Sequence, residues 1–126
     1  MKSVLRRLAV SFITFAVVAC SPSTPSGTVD RFYRLVEGGK YDAAFALFTV
    51  QSRAAFPAEK AKALLVDESR KLNAGGGINA ITFSDETITG ETAVVTSLIT
   101  MKNGETKSDK TRLAREDGEW LMEMGK

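Results

Sequence analysis

Hydrophobic positions change period once along the chain. Val29, Phe32, Tyr33 and Val36 recur at i, i+3, i+4 and i+7, the narrow apolar stripe of an amphipathic helix. Thr24 followed by Pro25 reads as an N-cap and first helical position, and Gly38 with Gly39 stops the helix. The pattern predicts a second short helix over residues 42–48, with Ala44, Phe45 and Phe48 facing inward. Pro57 opens a third. Glu59 in its first turn and Arg70 and Lys71 in its last complement the helix macrodipole. Ala61, Leu64, Leu65 and Leu72 give its buried side, and Asn73 with the run Gly75, Gly76, Gly77 ends it.

After those glycines the pattern becomes that of strands. Residues 78–88 are rich in Ile, Thr and Phe, and Thr89 with Gly90 turns the chain. Residues 91–102 read as the strongest strand. Asn103 and Gly104 predict a two-residue hairpin. Residues 105–116 form a more polar strand, Asp117 and Gly118 a further hairpin turn, and residues 119–124 the last strand. Four strands joined by short turns make an antiparallel meander. Helices first and sheet second is an α+β pattern, with the helices covering one face of the sheet.

The first twenty residues are of another kind. Lys2, Arg6 and Arg7 precede residues 8–19, an uncharged stretch too short to span a bilayer as a helix but of the length of a signal-peptide core. The stretch ends at Cys20, the single cysteine of the chain. Val17, Val18, Ala19 and Cys20 resemble the lipobox of bacterial lipoproteins, with Val17 where Leu is usual. That resemblance implies a diacylglyceryl group on the Cys20 thiol, cleavage before it and acylation of the new amine. Several acyl chains make a stable anchor where one gives only marginal binding. The chain then divides into a signal peptide at 1–19, a lipidated cysteine and Ser/Pro-rich linker at 20–27, and an α+β domain at 28–126. By the same resemblance, Ser21 in place of Asp favours the periplasmic face of the outer membrane.

Charge and composition narrow the function. Of 126 residues, 17 are basic and 15 acidic, a net charge of +2. Three of the bases lie in the acid-free leader; removing them from 17 leaves 14 against 15, a net charge of −1. With no basic run and no interleaved aromatics, nucleic-acid binding is not expected. The chain has no histidine, so a Ser-His-Asp triad, a Cys-His dyad and a His/Cys zinc site are excluded within it. One cysteine excludes a disulfide framework. Neither a metal nor a cofactor is expected.

The opening "TPSGTVDRFYRLVEGGKYDAAFALF" and the ending "NGETKSDKTRLAREDGEW" resemble small bacterial lipoproteins carrying a cystatin-like, nuclear-transport-factor-like domain, related to lumazine-binding-like proteins. The resemblance rests on Pro25, Val29, Phe32, Gly39, Tyr41, Ala43, Ala44 and the closing Asp-Gly-x-Trp, and covers about residues 24–124. It implies a curved sheet wrapped against a helix around a cone-shaped cavity, and it names no activity.

Isomerases of that superfamily use carboxylates and tyrosines in the cone. Asp30, Tyr33 and Tyr41 are the candidates here. Asp30 falls off the apolar stripe, Tyr33 lies on it with its hydroxyl at the edge, and Tyr41 packs under the second helix. No two carboxylates are placed by the pattern to face one cavity, so no catalytic residue is assigned. Tyr33, Met101, Trp120 and Met122 are the candidate cavity-lining residues; Trp120, Met122 and Met124 alternate onto one strand face, which reads first as core. Lys107, Lys110, Arg112 and Arg115 among Asp109 and Glu116 read as a solvated face. The glycine run lies after a helix and before a strand, the reverse of a phosphate-cradling loop. The expectation is a lipid-anchored envelope domain without catalysis, binding a protein partner or a small apolar ligand. The alternatives are an isomerase- or dehydratase-like enzyme and a structural homodimer.

Overall fold

The computed structural model describes residues 23–124. The expected signal peptide, Cys20 and the start of the linker lie outside the described residues. Helix α1 spans Pro25–Glu37, α2 Tyr41–Phe45, α3 Val50–Ala55 and α4 Ala58–Ala74; strands β1 (Ile78–Thr89), β2 (Thr92–Met101), β3 (Thr106–Glu116) and β4 (Glu119–Met122) follow. The strands form one antiparallel, curved sheet in the order β1-β2-β3-β4. This is the α+β architecture the periodicity predicts, with the helices on one face.

Thr24 caps α1 by accepting the Gly27 N–H at 3.0 Å, and Pro25 takes the first helical position. Residues 25–27, expected in the linker, are therefore the first turn of the helix. Val29, Phe32, Tyr33 and Val36 are all buried. The helix closes as a Schellman motif: Lys40 N–H reaches Leu35 C=O at 2.8 Å, and Gly39, at φ 77°, supplies the left-handed residue. α4 ends the same way, with Gly77 N–H bonded to Leu72 C=O at 3.0 Å.

Three expectations about the helices are corrected. The second helix stops at Phe45 rather than 48, because Phe48 is drawn to the sheet edge. There Met122 N–H donates to Leu47 C=O at 2.8 Å, and Thr49 N–H to Met122 C=O at 2.9 Å. These bonds cover the outer side of β4. Helix α3 follows, started by Thr49 Oγ1 accepting Ser52 N–H at 3.1 Å; none of its residues is buried, so no apolar stripe announces it. Leu64, expected inside, is 56 % exposed, whereas Ala61, Leu65 and Leu72 are buried.

The β2–β3 turn is longer than the two residues expected. Met101 N–H bonds to Glu105 C=O at 2.8 Å and Gly104 N–H to Met101 C=O at 2.9 Å, with Gly104 at φ 94°. That is a three-residue loop ending in a glycine bulge. Its spare donors explain the length. Lys102 N–H reaches Gly77 C=O at 3.0 Å and Asn103 N–H reaches Gly75 C=O at 2.9 Å, docking the turn on the end of α4.

The core fills the space between α1 and the sheet. Ala93, Val95, Ser97, Ile99 and Met101 alternate along the inner face of β2 and are buried. Phe32 stacks edge-on against Tyr33 at 5.2 Å and Phe48 at 5.5 Å. β1, the other sheet edge, changes register twice, between Ile78 and Ala80 and between Phe83 and Asp85.

Candidate functional site

β3 alternates its side chains, and its inner row is Lys107, Asp109, Thr111 and Leu113, each paired in register with an inner residue of β2. Leu113 and Thr111 are buried in the core. Asp109 and Lys107 continue the row beyond it, to where α4 stands off from the sheet. The gap is a groove of about 900 Å³. Phe32, Phe48, Leu65 and Met122 form its apolar base, and the exposed Leu64 its rim.

A polar cluster lies at the wall where Tyr33 of α1 meets β3. The Tyr33 hydroxyl donates to Asp109 Oδ2 at 2.5 Å, and Asp109 Oδ1 accepts the Lys110 N–H at 3.0 Å. Glu68 of α4 places Oε2 2.8 Å from Lys107 Nζ. That oxygen is shut off from solvent, and the ammonium contact is an ion pair not aligned as a hydrogen bond. The same ammonium lies 5.5 Å over the Tyr33 ring. Burial pushes the Tyr33 hydroxyl well above its ordinary pKa, and the Asp109 hydrogen bond, the Asp109 charge and the Glu68 charge push the same way. The tyrosine is therefore a fixed hydrogen-bond donor at neutral pH.

The candidate residues fall in different places. Tyr33 and Met122 border this groove, as does Met124. Trp120 lies at a second cleft of about 490 Å³, beside Ser23, Thr24 and Leu47. Met101 packs against Gly75, where a methyl group would meet its sulfur at 2.7 Å. Asp30 is half-exposed and 3.6 Å from Arg34. Tyr41 packs on the edge of the core. The expectation that no two carboxylates share a cavity is corrected: Asp109 and Glu68 face one groove. The reading of the third strand as wholly solvated is corrected for Lys107 and Asp109, which are half-buried. Their signal was the period-two row running back from Leu113 and Thr111. The partner from α4, Glu68, has no local signal. Among the described residues no cluster of three or more His, Cys, Asp or Glu is placed to hold a metal ion.

The helices on a curved antiparallel sheet define a nuclear-transport-factor-like fold. A Campylobacter jejuni protein, provisionally described as an NTF2-like transpeptidase, superimposes with a TM-score of 0.74 over 82 % of this chain and 100 % of its own, at 19 % identity. A SEC-C-motif protein from Rhodopseudomonas palustris superimposes at 0.57 over 85 % of this chain and 80 % of its own, at 12 % identity. At such identities the likeness is one of fold. The sequence profile of the family described as a domain of unknown function, DUF4878, matches residues 18–123, and the chain belongs to that family. No curated protein matches the sequence significantly. No helix among the described residues is long and apolar enough to cross a membrane.

Proposed function

We propose that the protein is a lipid-anchored domain of the cell envelope that binds an apolar or amphipathic ligand in the groove between α4 and the sheet, without transforming it. The groove itself carries the reading. It leaves apolar side chains of α4, β4 and the residue 48 loop beside about 900 Å³ of open space. Covering apolar surface there returns about 25 cal/mol per Å². The polar cluster supports binding rather than proton transfer. Tyr33 holds its proton too tightly to act as an acid or, once ionised, a base near neutral pH. Lys107 is neutralised by Glu68. The anchor rests on the lipobox-like residues 17–20 and on the charge pattern before them.

Titration with 8-anilinonaphthalene-1-sulfonate tests the groove. Leu64→Asp is expected to weaken dye binding about tenfold, roughly 1.4 kcal/mol, while changing stability by less than about 0.5 kcal/mol. Equal binding by both proteins would overturn the reading and leave a partner protein or a second copy as the occupant. Mass spectrometry of the mature N-terminus tests the anchor. A diacylglyceryl group on Cys20 is expected; an unmodified Cys20, or cleavage elsewhere, removes it.

One observation favours a second reading, an enzyme: the half-buried Tyr33–Asp109 contact at the groove wall. Conversion of a groove-bound ligand that stops in Asp109→Asn, with binding retained, would establish it.

A further inference from the structure

The start of α1 is pinned to the sheet. Ser23 Oγ accepts the Trp120 N–H at 3.1 Å, and the buried Thr28 hydroxyl donates to Trp120 C=O at 2.8 Å. Between them, Ser26 N–H donates to Glu86 Oε1 at 3.0 Å. Trp120 faces Arg115, whose guanidinium lies 5.1 Å from the indole and 3.1 Å from Glu91. These contacts gather three features at one end of the molecule: the first turn of α1, the β1–β2 tip at Gly90 and Glu91, and the β3–β4 tip at Asp117 and Gly118.

Cys20 precedes the pinned Ser23 by three residues. Fully extended, three residues reach about 11 Å. We infer that this end of the domain is held against the membrane surface, with both hairpin tips toward the lipid headgroups and the opposite end, at the β2–β3 turn, away from it. The inference rests on the acylated Cys20 proposed above. Its occupant is a lipid surface because the reach admits nothing thicker between the anchor and the fold.

Attraction by charge does not produce this arrangement. Glu91, Glu116, Asp117 and Glu119 outnumber Arg31 and Arg115 at this end, so an anionic headgroup layer is repelled. Ile88, half-exposed next to the Gly90 tip, is the apolar residue available to the interface. The leash decides the orientation. It also decides where the groove lies. Arg112, the β3 residue of the groove nearest this end, is four residues from Glu116, or about 13 Å along the strand, and Lys107 is farther still. The Lys107 and Asp109 end of the groove is thereby held farther from the headgroups than its Met122 end, which lies two residues from Trp120.

Energy transfer tests the orientation. The acylated protein is inserted into phosphatidylcholine vesicles carrying a headgroup-linked acceptor. Because acylation consumes the Cys20 thiol, a single introduced cysteine takes the donor dye. Thr89→Cys and Glu119→Cys mark the membrane end and Glu105→Cys the far end; all three positions are exposed. Transfer is expected to be severalfold greater from positions 89 and 119 than from 105. Inserting twelve Gly/Ser residues between Cys20 and Ser23 should level the three. Protein that floats with the vesicles but transfers equally from all three positions, before any insertion, overturns the inference alone. Protein that fails to float overturns the anchor and the inference together.

Discussion

The two ends of α4 sit in unlike surroundings. At its C-terminal end Leu72 is sealed in the core, Asn73 Nδ2 donates to Glu37 C=O at 3.2 Å, and Glu37 Oε2 accepts the Ile78 N–H at 2.6 Å. The β2–β3 turn donates two backbone hydrogen bonds to the glycine loop that follows. Toward its N-terminal end the same helix leans on α1 and α2 and leaves Leu64 bare above the groove. Backbone and side-chain hydrogen bonds fix the helix at one end, while at the other Ala61 and Leu65 are buried by packing alone and Leu64 is left out. The unfinished half is where a ligand has room.

If this contrast is right, substitutions in the locked half should cost the most. Leu72→Ala is expected to destabilise by about 2–5 kcal/mol, because a sealed site closes poorly over a cavity; urea unfolding reads it, and a loss below 1 kcal/mol would mean the junction is looser than its geometry. Gly75→Ala comes next, at about 1–3 kcal/mol, since the added methyl would lie 2.7 Å from Met101 Sδ and 2.9 Å from its Cβ. The backbone there is ordinary, so the cost is steric alone.

Tyr33→Phe sharpens the comparison at the groove wall. Loss of the hydrogen bond to Asp109 should cost about 1.5 kcal/mol near neutral pH. The pH profile isolates the residue. The folded-state pKa of Tyr33 is raised above its ordinary 10.0. Above pH 10 the unfolded chain releases the tyrosine proton and the folded chain keeps it, so stability falls as pH rises, by up to about 1.4 kcal/mol per unit. Below pH 10 both states hold the proton and the residue adds no slope. The difference in alkaline slope between wild type and Tyr33→Phe measures the effect; equal slopes would show that Tyr33 is open to water. The smallest effect belongs to Glu91→Gln. The Arg115 guanidinium holds the Glu91 carboxyl below its ordinary range, but both groups are in solvent, and no resolvable change in Tm is expected.

Much of the fold was legible because its signals are local. The stripe at Val29, Phe32, Tyr33 and Val36, the glycine stops and the turn at Asp117 and Gly118 each act within a few residues. What escaped depends on distant partners. Phe48 left its expected helix for Met122, 74 positions on, and the turn at Asn103 lengthened to serve the end of α4. The groove escaped for the same reason. Glu68, Lys107, Asp109 and Tyr33 lie on three elements, and a strand of mixed charge looks solvated until the helix across from it is known. Leu64 shows the converse, since its periodicity was right for burial but the surface it would have met stands apart.

The two register shifts in β1 have a consequence for a protein tethered as proposed. Molecules confined to a plane meet edge to edge at high local concentration, and β1 is the edge of the sheet that no other segment among the described residues extends. Its shifts break the even row of donors and acceptors that a neighbour's strand would copy, and Asp85 and Glu86 set like charges along it. The irregular edge thus guards against fibre growth under two-dimensional crowding.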